Sequence, residues 1–184
     1  GVFAKCSLLL LLILSTLLGA QSTPEDFKKI PIEANGIRFN QFVAIVQDQE
    51  GFLWLSTNQE LLKFDGYEVE IYRHDPEDST SLTGNHVGKL FVDTEGNLWA
   101  GNTKGLSRYR PNCDCFVNYT LSSTHKSAYM DAVFQNHFYS VPQESVVAIT
   151  EDRDLQLWAA TAGGDLFRYD RKQDTFIAYR NDPK

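Results

Sequence analysis

The chain has 184 residues, with 24 acidic and 17 basic side chains and a formal net charge of -7 at pH 7. No basic stripe is present, so the charge pattern argues against a nucleic-acid-binding surface. The acidity favours solubility, and the length alone would suit one domain.

Residues 1–20 have the features of a secretory signal peptide. Lys5 supplies a positive charge, residues 7–18 are almost wholly apolar, and Gly19 and Ala20 are the small residues expected at a cleavage site. An apolar run of about a dozen residues is too short to favour a membrane-spanning helix of about 20. We therefore predict export and cleavage after Ala20, with a retained N-terminal anchor as the alternative.

Residues 21–41 form a predicted lead-in to the repeated part of the chain. Within this lead-in, residues 27–33 predict a short strand, and residues 34–36 carry a turn signal. An insertion at 122–143, inside the second of three units, could form one helical turn or an extra hairpin. The three units are placed at 42–85, 86–143 and 144–184.

One motif occurs once in each of the three units. An Asp lies six residues before a Trp, and an aromatic residue follows ten or eleven residues after that Trp. The spacing of the first two tryptophans matches a four-stranded propeller blade of about 40 to 50 residues, and the insertion lengthens the second spacing. The residues to which we assign a structural role in the repeat are Asp48, Gly51, Trp54, Asp93, Gly96, Trp99, Asp152 and Trp158.

Each unit also contains four short runs of β-branched and aromatic residues, which predicts a four-stranded sheet. Asp65-Gly66 predicts a two-residue hairpin before the last strand of the first unit. No complete helix is predicted outside the signal peptide, so the chain is expected to be all-β. The expected strands are 43–47, 52–57, 61–64 and 67–72, then 87–92, 97–101, 106–109 and 116–121, and finally 146–150, 155–161, 166–169 and 176–179.

The repeated residues are expected to build the architecture. A single unit cannot bury both faces of its sheet, so the tryptophans should lie between adjacent blades. Asp and Gly should shape the turn after the first strand, since Asp bonds to nearby backbone and Gly accepts positive φ. Leu155 replaces this Gly in the third copy, so a different turn is expected there. Thr57, Asn102 and Thr161 are expected to tie one blade to the next by hydrogen bonds.

Two cysteines, Cys113 and Cys115, remain after the predicted cleavage. Export would permit a disulfide, but a ring closed over the single residue Asp114 leaves little room for the usual separation of the Cα atoms. A C-x-C pair without a nearby His is also weak evidence for a metal site. We therefore predict two free thiols in a loop.

The sequence contains no recognisable catalytic or metal-binding motif. The four histidines are dispersed, and H-E-x-x-H, G-x-S-x-G and phosphate-loop patterns are missing. The acidic turns at Asp48 and Asp93 lack the remaining ligands of a twelve-residue calcium loop. We predict no catalytic residue, no metal and no cofactor for this chain.

The motif resembles the two-component regulator propeller repeat. The resemblance rests on Asp48-x-x-Gly51-Phe52-Leu53-Trp54, on Asp93-x-x-Gly96-Asn97-Leu98-Trp99 with Gly105-Leu106, and less completely on Asp152 to Trp158. The first copy departs from the pattern, with Glu60 where a glycine usually precedes Leu61. The resemblance implies a partial β-propeller of about three four-stranded antiparallel blades. It also implies that the N-terminal strand closes a last blade that is missing from this chain.

The resemblance implies a sensing function outside the cytoplasm. The chain would be the periplasmic ligand-sensing segment of a bacterial two-component sensor. The parent would be a dimeric histidine kinase anchored in the inner membrane by a downstream helix. Its ligand would be an oligosaccharide or another small molecule, and nucleic acid is not expected as a partner. Packing on a blade is the alternative role of the insertion. The candidate ligand contacts lie in this insertion: Tyr129, Phe134, His137 and Tyr139.

Other functions remain open from the sequence. The sensor could belong to a diguanylate cyclase. The propeller could instead belong to an enzyme, such as a lyase or a quinoprotein, with its catalytic groups in missing blades. It could also be an adhesion protein without signalling output. A membrane helix and a kinase or cyclase domain downstream would decide for a sensor.

Overall fold

The computed structural model describes residues 31–34, 36–39, 41–121 and 142–179. The chain divides into two units, Gly1–Pro31 and Ile32–Lys184, and every described strand lies in the second unit. Among the described residues, no helix is long and apolar enough to cross a membrane. The predicted signal peptide lies outside the described residues.

Twelve of the described strands form three four-stranded antiparallel sheets, which we call blades 1, 2 and 3. Consecutive strands pair within each sheet, so each blade is a simple meander. The strands are β3 (Ala44–Gln47), β4 (Leu53–Ser56), β5 (Leu61–Phe64) and β6 (Val69–Tyr72) in blade 1; β7 (Val87–Val92), β8 (Leu98–Asn102), β9 (Gly105–Arg110) and β10 (Cys115–Tyr119) in blade 2; and β11 (Val146–Glu151), β12 (Leu157–Thr161), β13 (Leu166–Asp170) and β14 (Thr175–Tyr179) in blade 3.

The predicted all-β fold and partial propeller are confirmed, and the blade strands agree with the expected ones to within two residues at each end. The first strands of consecutive blades contact one another, β3 against β7 and β7 against β11. This places the first strand of each blade at a common inner edge.

The strand predicted at residues 27–33 lies partly outside the described residues, and its described end belongs to a short hairpin. Strands β1 (Ile32–Ala34) and β2 (Ile37–Phe39) pair in a separate two-stranded sheet, with Glu33 opposite Arg38. Ile32 and Phe39 pack on the buried Leu55, Leu62 and Phe64 of blade 1. Apolar pairing across the predicted turn explains this hairpin. Closure of a last blade by this strand stays a prediction.

The connection between β5 and β6 is longer than predicted. It runs from Asp65 to Glu68, and Val69 is the first residue of β6 that pairs with β5. The Asp65 carboxylate accepts the backbone amides of Tyr67 at 2.7 Å and Glu68 at 2.6 Å. These bonds hold Tyr67 and Glu68 in the turn, so the predicted two-residue hairpin is wrong in length although not in position.

The hydrophobic core lies between neighbouring blades. Trp54 and Trp99 have no exposed surface. The ring of Trp54 lies 5.5 Å from that of Tyr72 in its own blade and 4.7 Å from that of Tyr109 in blade 2. Trp99 lies 4.9 Å from Tyr169 in blade 3. Each of these two indoles therefore fills the space between its own blade and the next.

Trp158 has a different environment. Its ring contacts Tyr179 of blade 3 at 5.2 Å, and it is only partly buried. Within the described residues, no further blade packs on this side of blade 3. Trp158 thus takes the same place in its blade as Trp54 and Trp99, but within the described residues no neighbouring blade packs on its other side.

This difference predicts unequal costs for truncating the two indoles. Trp99→Ala should lower the free energy of unfolding by about 3 to 5 kcal/mol, because it removes a fully buried aromatic side chain. Trp158→Ala should cost less than about 2 kcal/mol, since part of its surface already faces solvent. Urea unfolding of the 184-residue chain, followed by circular dichroism, measures both values. Equal losses would contradict the assignment of Trp99 to an interface and Trp158 to an open face.

Candidate functional site

One aspartate organises the turn after the first strand of each blade. Its Oδ2 atom accepts the indole N–H of the Trp six residues later, at 2.7, 2.9 and 2.7 Å in blades 1, 2 and 3. Its Oδ1 atom accepts the backbone amide four residues later at 2.9, 2.8 and 3.0 Å. One carboxylate therefore satisfies both the turn and the indole. The pairs are Asp48 with Trp54, Asp93 with Trp99, and Asp152 with Trp158.

In blade 3 the ionised form of this carboxylate, that of Asp152, is favoured. The indole N–H of Trp158 and the backbone amide of Gln156 hold the pKa of Asp152 below its ordinary value. Hydrogen bonds donated to a carboxylate stabilise its charged form. The turn of blade 3 thus places a negative charge beside Trp158.

The turn of blade 3 has the same geometry as the other two, so the prediction of a different turn is wrong. Leu155 adopts a φ of 58°, close to the left-handed values of 96° at Gly51 and 84° at Gly96. Its amide donates to the carbonyl of Asp152 at 3.1 Å, as the glycine amides do in blades 1 and 2. The Leu155 side chain is about half exposed, so it has space, and the Asp152 bonds impose the backbone conformation.

Substitutions of Leu155 in blade 3 and of its counterpart Gly51 in blade 1 should change the free energy of unfolding in opposite directions. Leu155→Gly should raise the free energy of unfolding by about 0.5 to 1 kcal/mol, because it relieves a left-handed non-glycine residue. Gly51→Ala should lower it by about 1 kcal/mol for the reverse reason. A Cβ at Gly51 would meet its nearest neighbour, Gln47 Nε2, at 4.0 Å, so this variant tests the backbone and not a clash. Thermal unfolding gives both signs, and a loss of stability in Leu155→Gly would refute the explanation.

A second carboxylate joins consecutive blades. Asp114, in the turn between β9 and β10, accepts the hydroxyl of Tyr72 from blade 1 at 2.6 Å and that of Tyr109 from its own blade at 2.7 Å. Asp174 of blade 3 accepts the hydroxyls of Tyr119 and Tyr169 in the same way. We call these two arrangements the tyrosine–aspartate bridges. Each crosses one blade interface.

Sequence reasoning missed the tyrosine–aspartate bridges, although a signal was present. A Tyr followed five residues later by an Asp and seven residues later by a Phe occurs in blades 2 and 3. Both aspartates have a φ of 50°, which Asp tolerates better than most residues. In blade 1 the residue five positions after Phe64 is Val69, so this blade lacks the Asp. The two copies are Tyr109, Asp114 and Phe116, and Tyr169, Asp174 and Phe176.

The bridges shift the ionisation of both partners. Burial, together with hydrogen bonding to Asp114, raises the pKa of Tyr72 far above its ordinary value. Partial burial opposes ionisation of Asp114, but the hydroxyls of Tyr72 and Tyr109 outweigh it, so the pKa of Asp114 is lowered. The pKa of Asp174 is lowered by the same balance, with Arg108 adding to it. Both bridging carboxylates are charged at neutral pH.

This shift predicts a stability loss in acid. Because the folded pKa of Asp174 lies below its unfolded value, its contribution is complete above about pH 4 and is lost as the pH falls through the folded pKa. Asp174→Asn should therefore reduce stability at pH 7 and flatten the decline between about pH 4 and pH 2. Urea unfolding at several pH values tests this. Asp154→Asn, at an exposed position in the turn between β11 and β12, serves as the matched control. An unchanged acid decline in Asp174→Asn would contradict the role of the bridge.

Cys113 and Cys115 form a disulfide, so the prediction of two free thiols is wrong. Asp114 between them takes the left-handed conformation, which brings their Cα atoms to 5.2 Å, within the usual range for a disulfide. Asp174 has the same φ in a turn without cysteines. The turn type is therefore independent of the disulfide, which encloses the bridging Asp114.

The polar residues after the tryptophans act within their own blades. The Thr57 hydroxyl accepts the Glu60 amide at 2.9 Å, and Asn102 Oδ1 accepts the Lys104 amide at 2.8 Å. These bonds close turns, so the prediction that Thr57 and Asn102 tie blades together is wrong. Within the described part of the chain, the Thr161 hydroxyl and the Asn102 amide nitrogen are buried without a hydrogen-bond partner.

A groove of about 450 Å³ lies between blades 1 and 2, and we call it the first groove. Three of its lining side chains carry carboxylates and one carries an ammonium group. Lys63 Nζ lies 4.4 Å from the centre of the Phe52 ring and 3.4 Å from a carboxylate oxygen of Glu70. Partial burial disfavours the Lys63 ammonium, but Tyr109 and Glu70 outweigh it and raise its pKa. The groove is also lined by Asp48, Glu50, Glu95, Gly96, Tyr109 and Pro111.

The corresponding space between blades 2 and 3 contains Arg171, and we call it the second groove. Its guanidinium lies 2.7 Å from Glu151, 3.3 Å from Glu95 and 3.8 Å from Asp93. It also donates to the carbonyl of Leu155 at 2.8 Å. The side chain of Asp93 is completely buried beneath it. Arg171 thus neutralises carboxylates from both blades.

The predicted ligand contacts, Tyr129, Phe134, His137 and Tyr139, all lie outside the described residues, and their role stays a prediction. His74 and His86 each bond a backbone carbonyl through Nδ1, at 2.7 and 3.2 Å. In the part of the chain that the structure covers, no group of three or more His, Cys, Asp or Glu side chains could hold a metal ion.

Comparisons with known proteins agree with the repeat geometry. The family model described as "Two component regulator propeller" matches residues 36–59, which contain the first Asp-to-Trp motif. A curated relative, Histidine kinase P4 of Formosa agariphila, is 42% identical over 84 residues. Residues 36–59 thus match one two-component regulator propeller repeat. The region matched to the relative is 45% of this chain but 6% of the relative, so the chain spans a small part of that protein's length.

Solved structures share the fold of this chain. Two structures of the extracellular domain of BT4673 from B. thetaiotaomicron, titled as a one component system and as a hybrid two component system, have TM-scores of 0.58 and 0.57. They are 23% and 24% identical, and the match covers 78% and 77% of this chain and 19% of each of theirs. Virginiamycin B lyase from Staphylococcus aureus has a TM-score of 0.52 at 12% identity, over 78% of this chain and 42% of that one. At these identities the likeness establishes the fold alone.

Proposed function

We propose that this chain is an extracytoplasmic ligand-sensing segment of a bacterial two-component sensor whose output is a histidine kinase. The observation that carries the proposal is the 42% identity to Histidine kinase P4 over 84 residues. The repeat match at residues 36–59 also supports it. The apolar segment at residues 7–18, with Lys5 before it, would direct export. A downstream membrane helix would anchor the parent, which would signal as a homodimer.

The blade contacts suit such a role. The indole packing, the tyrosine–aspartate bridges and the Arg171 ion pairs each cross an interface between blades. A ligand held by loops of several blades would therefore act on a connected body and not on one sheet. We propose an oligosaccharide or another small molecule as that ligand, with Tyr129, Phe134, His137 and Tyr139 among its contacts.

The output is tested with the complete native gene. Its product, in membranes from cells grown with and without polysaccharide breakdown products, should incorporate labelled phosphate from ATP on a histidine. Formation of cyclic diguanylate would indicate a cyclase output instead. A reading frame that ends after the propeller, without a membrane helix, would refute the sensor proposal and favour an enzyme or an adhesion protein.

The ligand contacts are tested in the same membranes. Paired replacement of Tyr129 and His137 by Ala should abolish the response to the ligand while leaving basal phosphorylation intact. Tyr67→Ala is the matched control, because this aromatic side chain is 94% exposed on a turn of blade 1. A response that persists in the paired variant would exclude Tyr129 and His137 as ligand contacts.

A further inference from the structure

The repeat places equivalent residues around the first and second grooves. Asp48 and Glu50 correspond to Asp93 and Glu95, since each pair begins the turn before its tryptophan. Gly96 corresponds to Leu155, whose carbonyl accepts a bond from Arg171. The residue at the position of Arg171 is Pro111, two residues after the aromatic residue of its blade. The second groove is therefore a version of the first in which the chain supplies its own guanidinium.

The first groove keeps most of the partners that Arg171 uses but lacks the arginine. Asp48, Glu50, Gly96 and Pro111 all line its volume of about 450 Å³. The Glu50 carboxylate has no ion-pair partner within 4.0 Å among the described residues, whereas its counterpart Glu95 pairs with Arg171 at 3.3 Å. The Asp93 side chain, which Arg171 approaches at 3.8 Å, is fully buried, while Asp48 remains partly exposed. The first groove therefore has the counterparts of Asp93 and Glu95, but Pro111 stands at the position of Arg171.

Lys63 does not replace the missing cation. Its counterpart in the second groove is Arg108, which occupies the same place opposite the Trp of its blade. Arg108 pairs with Asp174 at 3.0 Å, and Arg171 is present in addition. Among the described residues, the second groove thus contains Arg108 and Arg171, whereas the first contains Lys63, the counterpart of Arg108, and has Pro111 at the position of Arg171.

We propose that the first groove binds a guanidinium group from outside the chain, in the position that Arg171 takes in the second groove. A guanidinium fits because its planar donors can reach two carboxylates and a backbone carbonyl at once. The methylene groups next to it would lie against Pro111 and Tyr109. The residue of blade 2 that corresponds to Glu151, the partner of Arg171 at 2.7 Å, is Val92. The first groove therefore offers a guanidinium one carboxylate fewer than the second groove and should bind it more weakly than the second groove binds Arg171. This site is independent of the signalling output proposed above.

Binding is measured on the 184-residue chain by amide chemical shifts in NMR. N-acetyl-L-arginine methylamide should give saturable shifts at the Glu50 and Gly96 amides, with a dissociation constant on the order of 1 mM. The citrulline analogue, which has the same shape without the charge, should not bind. Methylguanidine separates the two sources of the group: equal affinity indicates a free guanidino compound, and weaker affinity indicates an arginine side chain. Saturation by the citrulline analogue would overturn the proposal.

Two variants locate the site. Glu50→Gln should weaken binding by about three-fold to ten-fold, because it removes one charged acceptor. Pro111→Arg should abolish binding of the added ligand by filling the groove from within, as Arg171 does. Glu77→Gln, at an exposed acidic residue of the linker between blades 1 and 2, is the control that should leave binding unchanged. Unchanged binding in Glu50→Gln would overturn the proposal even if Pro111→Arg fails to fold.

Discussion

The hydrogen bond from a tryptophan indole to a turn aspartate is the interaction on which the blades depend. Burying the large apolar ring of Trp54 or Trp99 between sheets stabilises the interface, but its N–H would be costly to bury without a partner. The aspartate supplies that partner with one oxygen, at 2.7 to 2.9 Å, and organises its own turn with the other. Local turn geometry and blade stacking are therefore coupled through one carboxylate.

The interfaces between blades combine this apolar centre with a charged perimeter. On one side of the indole, Asp114 and Asp174 collect tyrosine hydroxyls from two blades. On another, Arg171 binds carboxylates of blades 2 and 3. The two interfaces are not identical, because Pro111 stands where blade 3 has arginine. A repeat with constant core residues can thus vary its interface perimeter, and the first groove results from one such variation.

This division between core and perimeter is consistent with a receptor. The core contacts make neighbouring blades one connected body, while loops and grooves remain free to differ between blades. The chain spans 6% of the length of the histidine kinase that it resembles. Signal output belongs to the parent protein in our proposal, and the described blades would supply a scaffold and at least one cation-binding groove. The insertion at 122–143 would supply the loop contacts to a ligand.

The sequence by itself determined the strands, their grouping into three blades and the place of each tryptophan, because these depend on residues close together in the chain. It also placed the aspartate turns, although it could not show that Leu155 would adopt a glycine-like φ under the hydrogen bonds of Asp152. Only the tertiary structure decided which side chains meet across blades. Tyr72 and Asp114 are 42 residues apart, and Tyr119 and Asp174 are 55 apart. Such contacts depend on how the sheets stack, as do the groove beside Pro111 and its difference from the one that Arg171 fills.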